Sequence, residues 1–262
     1  MKRAFTLAWQ YLRLAFMNEM QYRINFFIQL FESALALGTA LIVLALVYAQ
    51  TEILNGWSRY ELQALQGIYV ILMGFVQISV QPNVERLLTD IQQGTFDFVL
   101  VKPIDSQLLS SIREVRIWQS VDILAGSAVL GHALWQLGNQ IGLVQVGLFV
   151  VAILSGVLII YALVFLLSTL AFWVIRIESI FEVLMGIMAA GRLPTDIYPR
   201  WLQIILVYLV PMAFAVTVPA QIITNRGDAT ALLTQLGVAA VFMLITRLMW
   251  RTAVKRYSGA SA

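Results

Sequence analysis

The sequence predicts an all-α integral membrane protein with six transmembrane helices, an N-terminal interfacial helix, a cytoplasmic helical element between spans 2 and 3, and a re-entrant hairpin between spans 5 and 6. Three observations predict it. Of 262 residues, 60% are hydrophobic and only 12% are charged, about half the ~25% charged fraction of soluble domains. The mean hydropathy is +0.83. The charges cluster between apolar runs long enough to cross a hydrocarbon core of about 30 Å. Finally, the basic residues fall mostly on one side of the membrane under that layout.

The first 22 residues place Phe5, Trp9, Leu12 and Phe16 on one helical face and Thr6, Gln10 and Arg13 on another. An aromatic apolar face with a basic polar stripe lies in the membrane interface; a plain extension of the first span is the alternative. Lys2 and Arg3 precede an apolar run containing Ala34-Leu35-Ala36, which superficially suggests a signal peptide. That run continues to Val47, so 26–49 is kept as span 1. Spans 2, 3 and 4 are expected over 62–80, 115–135 and 143–174, the last long enough to tilt.

Span 5, over 177–190, is short. Beyond it, Arg192-Leu193-Pro194 and Tyr198-Pro199-Arg200-Trp201 lead into an apolar run interrupted by Pro211 and Pro219. Proline removes a backbone donor, and broken helices persist at membrane depth only where protein or a water-filled cavity shields them. One or two short re-entrant helices are therefore expected over 201–223, inside an outer region spanning 192–228. Span 6 covers 229–249.

The longest polar connection is 82–106. Arg86, Asp90 and Gln93 share one side of a helix there, and Leu87, Leu88 and Ile91 share another. Gly94 is placed to end that helix, 96–101 reads as extended or irregular, Pro103 breaks the chain, and Asp105 or Ser106 caps the third span. Glu85, Arg86 and Asp90 are candidates to hydrogen-bond a partner groove, with Phe96 and Phe98 as apolar anchors. A solvated loop helix is the plainer reading.

With both termini inside, the outer segments hold only Arg59, Arg192, Arg200 and Arg226 of the 17 basic residues. The positive-inside bias sets this orientation, and a seventh full span would put the basic C-terminus outside. No repeat or second soluble domain is visible, so 1–262 reads as one membrane domain.

The chain has no cysteine, which excludes disulfides and thiolate metal sites. It carries no G-x-x-x-x-G-K-[ST] loop, no H-E-x-x-H and no G-x-S-x-G. The single histidine, His132, cannot build a zinc site with its own kind and reads as an interfacial or packing residue. No catalytic residue, metal, cofactor or nucleic-acid partner is expected on this chain. Glu32, Asp122 and Glu182 lie inside spans, where an ionisable group costs on the order of 2.5–3.5 kcal/mol. Two readings stand for them: reaching the interface or pairing there, Asp122 with Arg116 and Glu182 with Arg176, or a role in a substrate path or proton relay. Gln77, Gln145 and Gln221 are weaker polar pointers, and Gly186 with Ala190 would permit close helix packing.

Taken together, the order of elements resembles the type-2 ABC export permeases, in particular the small six-span subfamily often described as multidrug or antibiotic transport permeases. Ile91-Gln92-Gln93-Gly94-Thr95-Phe96-Asp97-Phe98-Val99-Leu100-Val101-Lys102-Pro103 is similar to that subfamily's I-R-x-G-T-L-D-x-L-L-x-K-P stretch. Gln92 stands where the usual arginine would. Pro194, Pro199, Pro211, Ala213-Phe214 and Pro219 resemble its second signature. The resemblance implies a permease in the bacterial inner membrane, surrounded by lipid and paired with an identical or sister permease. It also implies two partner ATPase subunits carrying ATP and Mg. Region 82–106 would be the coupling helix, with Asp97, Lys102 and Pro103 in its motif and the Arg176–Glu178 turn as a second contact. Two rivals differ in class. A lipid-modifying intramembrane enzyme would need an acid–base pair or metal ligands at one face. An ATP-independent carrier would usually show an inverted repeat.

Overall fold

The computed structural model describes Met17 and residues 23–50, 53–138, 142–173 and 178–257. Apart from Met17, the expected interfacial helix over 1–22 lies outside these residues, as do Arg176 and the side chain of Glu178.

Helix α1 (Arg23–Tyr48) leads into a two-stranded hairpin, β1 (Ile53–Leu54) and β2 (Trp57–Ser58). The sequence pattern alone predicts no strand here. Asn55 and Gly56 both take positive φ, 50° and 83°, which is the turn an Asn-Gly pair favours between antiparallel strands. Ser58 then caps α2 (Arg59–Phe75) in a capping box with Glu61, the S-x-x-E arrangement that satisfies two orphan donors at once.

Beyond α2 the chain passes through a π-helical turn, Val76–Val80, into α3 (Gln81–Gln92). Arg59–Gln92 is thus a 34-residue helical path and the most buried of the long helices. A single turn, α4 (Asp97–Leu100), occupies the stretch expected to be extended. Its backbone can coil because Gly94 (φ 71°) reverses the chain first. Helix α5 (Ser106–Ile112) follows, then an irregular segment and a 3-10 turn, Ile117–Gln119, before α6 (Ser120–Leu137). The third apolar helix therefore starts at Ser120, not at Val115.

Helix α7 (Leu143–Ser168) continues as a 3-10 turn to Phe172. Helix α8 (Glu178–Met188) and its 3-10 extension Ala189–Arg192 come next. A turn at Thr195–Ile197 precedes α9 (Arg200–Ile204) and a π turn, Ile205–Leu209. Pro199 caps α9. A second π turn, Ala213–Thr217, runs into α10 (Val218–Ile223). The halves Arg200–Leu209 and Ala213–Ile223 meet at 81°, with Pro211 at the corner. Pro219, expected to be a second break, is not one. It sits in the first turn of α10, where proline's missing N–H costs little. Asp228 caps α11 (Ala229–Arg256).

Among the described residues, four helices are long and apolar enough to cross a membrane: Phe26–Tyr48, Arg59–Gln92, Leu143–Phe172 and Ala229–Arg256; the bent pair makes a fifth if it counts as one span. Helices α6 and α8 fall outside that set.

Packing joins these elements backbone to backbone. A methyl added at Gly67 would lie 2.8 Å from the Gly126 carbonyl oxygen, and one at Gly126 would lie 2.8 Å from that of Gly67. Only hydrogen fits between α2 and α6, the small-residue contact that lipid-solvated helices use. Gly186, by contrast, has open space where its Cβ would be, so the close approach expected on α8 is on α2 instead. Helices α7 and α11 are stitched by Gln235 donating to Ala152 O at 2.7 Å and Thr246 donating to Ala162 O at 2.8 Å.

Candidate functional site

Two places gather the polar residues: an elbow formed by α3, α4 and α5, and a cavity along α2.

The elbow turns on Asp90, which is 3% exposed. Its carboxylate accepts from Arg113 Nη1 at 2.6 Å and Thr95 Oγ1 at 3.1 Å, and pairs with Arg86 Nε at 3.2 Å. Its carbonyl accepts the N–H groups of Thr95 and Phe96 at 2.9 and 3.1 Å. One residue therefore closes the turn around Gly94 and neutralises Arg113. Glu85 pairs with Arg116 and accepts from Gln81 Nε2. Beside them Asn83, buried, uses its whole amide. Oδ1 accepts the N–H groups of Arg113 and Glu114 at 2.8 and 3.0 Å, while Nδ2 donates to Ser79 O and Glu114 O at 2.6 and 2.7 Å. The segment after α5 is thus stapled to α3.

Phe96 is fully buried. Its ring lies 5.3 Å from Phe172, 6.0 Å from Trp250 and 5.3 Å from Tyr257, where α7 and α11 end. Asp105 caps α5 through the Leu108 N–H at 3.1 Å; the helix it caps is this short one, not the third span. Arg247 on α11 grips the same carboxylate with both guanidinium nitrogens, and its donated hydrogen bond holds the Asp105 carboxyl below the usual range. Trp250 Nε1 donates to Ser106 Oγ at 3.1 Å.

Of the residues expected to meet a partner, Asp90 and Phe96 therefore face inward, and Glu85 and Asp97 are half-buried. Arg86, Phe98, Lys102 and Pro103 are exposed, Phe98 by 71%. Asn83, Arg113 and Arg247 were missed. Their signal lay in polar residues bordering apolar runs, which spacing alone does not pair.

The cavity, of about 260 Å3, lies between α1, α2, α6 and α8. Asp122 enters from the first turn of α6 and is buried. It does not pair with Arg116, which Glu85 holds; instead the Ser33 hydroxyl of α1 donates to Oδ1 and Gln29 Nε2 lies 3.4 Å from Oδ2. Gln66, Tyr69 and Met73 line the cavity from α2, and Gln77 from the π turn. At the far end Arg192 stacks over the Tyr69 ring at 5.6 Å. Glu32 and Glu182 are exposed on α1 and α8.

Opposite the elbow, the hairpin meets the proline-rich region. Trp57 Nε1 donates to Asp196 Oδ2 at 3.1 Å, Arg226 covers the Trp57 ring at 4.5 Å, and it pairs with Glu61 at 3.1 Å. Pro194 is buried next to this contact. Gln145 donates to Ile222 O at 2.9 Å, and His132 shares a hydrogen bond with Gln63 at 3.0 Å.

A family model described as ABC-2 family transporter protein matches residues 34–261. No curated protein matches the chain.

Proposed function

The chain belongs to the ABC-2 transporter family, and on that premise we propose that it is the permease of an exporter driven by a separate pair of ATP-binding subunits. It pairs with an identical or sister permease, and ATP and Mg stay on the partner ATPase. Six helices span the inner membrane with both termini in the cytoplasm. The backbone contact at Gly67 and Gly126 supports this count, because it lays α6 along α2 at the same depth. Region 192–228 is the outer re-entrant element. The exposed apolar face of α1, with Phe27, Phe31, Leu35 and Ile42 all turned out, suits lipid or the second permease.

The observation that carries the reading is the two-sided elbow. Its inner side holds α7 and α11 through Phe96 and Asp105, while Phe98, Val101 and Lys102 stand exposed at its tip. Movement of a docked ATPase would reach the membrane helices through that inner side. ATP drives the change only through contacts that differ between the two states. Replacing Phe98 and Val101 together with serine should abolish co-purification of the ATPase while leaving chain yield and thermal stability unchanged. Variants that keep the ATPase but change which compounds are exported would place the elbow on the substrate path and overturn the reading.

A further inference from the structure

Resting on the permease reading, we propose that the cavity between α1, α2, α6 and α8 binds amphiphilic ammonium compounds, with Asp122 as their counter-ion. Asp122 is 9% exposed. Both of its oxygens face neutral donors, Ser33 and Gln29, and none of the ion pairs among the described residues includes it. A buried carboxylate without a cation is costly, and a ligand cation relieves that cost.

A second, independent feature points to a ligand. Gln66 is 7% exposed and faces the cavity, yet its amide has no hydrogen-bond partner among the described residues. Gln77, half-buried, lines the cavity from the π turn and likewise has no hydrogen-bond partner among the described residues, and π turns recur at functional sites. Buried polar groups are normally satisfied; here the amide carbonyls are free to accept ammonium N–H groups.

The remaining walls fit an apolar body. Tyr69, Met73 and Met185 offer one aromatic face and two polarisable, adaptable side chains. Charge order fixes the orientation. Gly74 lies against Asp122, since a methyl there would sit 3.3 Å from the Asp122 Cβ, whereas Arg192 lies over Tyr69. Five residues of helix separate these levels by about 7.5 Å. An amine is therefore drawn to the elbow half and repelled from the hairpin half. A cavity of about 260 Å3 falls just below the ~300–1,000 Å3 range of small-molecule sites, which suits a one-ring amine.

The test uses 4-phenylbutylamine, protonated at neutral pH, and its uncharged isostere pentylbenzene. Each is equilibrated with the full chain in nanodiscs of zwitterionic lipid, against protein-free nanodiscs. The wild type should take up the amine saturably. Asp122→Asn should weaken that uptake at least about tenfold, Asp122→Glu should hold it within about threefold, and pentylbenzene should not distinguish them. No saturable amine uptake by the wild type, or equal uptake by Asp122→Asn, overturns the proposal. If Asp122→Asn fails to fold, Gln66→Leu carries the test: selective loss of the amine supports the site, and equal loss of both probes overturns it. ATPase recruitment is read separately, so a failed cavity leaves the permease reading standing.

Discussion

Removing the carboxylate of Asp90 should loosen the elbow by an amount that the structure lets us apportion. Breaking a buried ion pair from one side typically costs about 3–5 kcal/mol, because the surviving charge is stranded. In Asp90→Ala the stranded group is Arg113, whose side chain is 17% exposed; that access to water places the cost near the lower end, about 3 kcal/mol. In Arg113→Ala the carboxylate keeps Arg86 at 3.2 Å, so a loss of about 2 kcal/mol is expected. The double variant strands neither group and should lose about 3 kcal/mol, leaving a coupling energy of about 2 kcal/mol. Unfolding of the four purified proteins in mixed micelles measures the cycle, with ATPase co-purification as the functional readout. The carbonyl of Asp90 still accepts Thr95 and Phe96 in every variant, so the turn itself survives. Single-variant losses that add to within about 0.5 kcal/mol would refute the claim that Asp90 and Arg113 form one locked unit.

Three further outcomes follow from the packing and the charges. Gly67→Val drives a side chain against the Gly126 carbonyl and the backbone of Leu130 and should cost about 1–3 kcal/mol in unfolding, whereas Gly186→Ala, with open space around it, should stay within about 0.5 kcal/mol. Because Arg247 depresses the Asp105 carboxyl in the folded state, its stabilisation is complete above the ordinary value of 3.8 and is lost as the pH falls through the lower folded value. Thermal midpoints of the wild type should therefore drop in that acid window, and those of Asp105→Asn should drop less. Reporter fusions at Gly94 and after Tyr257 should report the cytoplasm, and those at Asn55, Gly138 and Asp196 the outside; an external C-terminus would refute the six-span arrangement.

Hydropathy read the long helices well because lipid-facing apolar runs announce themselves, and local rules found the Gly94 helix stop and the bend at Pro211. The elbow was only half legible. Helical spacing separates Asp90 from Leu87 and Leu88, but it does not say that the charged side also turns inward. That depends on Arg113, 23 residues away. Phe96 looked like an anchor for a partner because its destination, the ends of α7 and α11, is far along the chain. The start of α6 was misplaced because apolar composition from Val115 onward carries no information on backbone direction, which Asn83 fixes from outside the segment. The cavity was glimpsed through Asp122 and Gln77, but the sequence gives no sign that Ser33, and not Arg116, would be the neighbour of that acid.

The π turn at Val76–Val80 belongs to both places at once. Gln77 faces the cavity, Ile78 O accepts the Arg116 N–H at 2.9 Å, and Ser79 O accepts from Asn83. Cavity wall and elbow are consecutive residues of one chain, so the elbow is not a cartridge that can be swapped alone. A chimera meant to recruit a foreign ATPase has natural seams before Val76 and after Arg116. A graft cut at Pro82 and Ser106, where the polar stretch looks self-contained, would remove Asn83 from between Ser79, Arg113 and Glu114, whose backbone it staples, and carry the mismatch straight to Gln77.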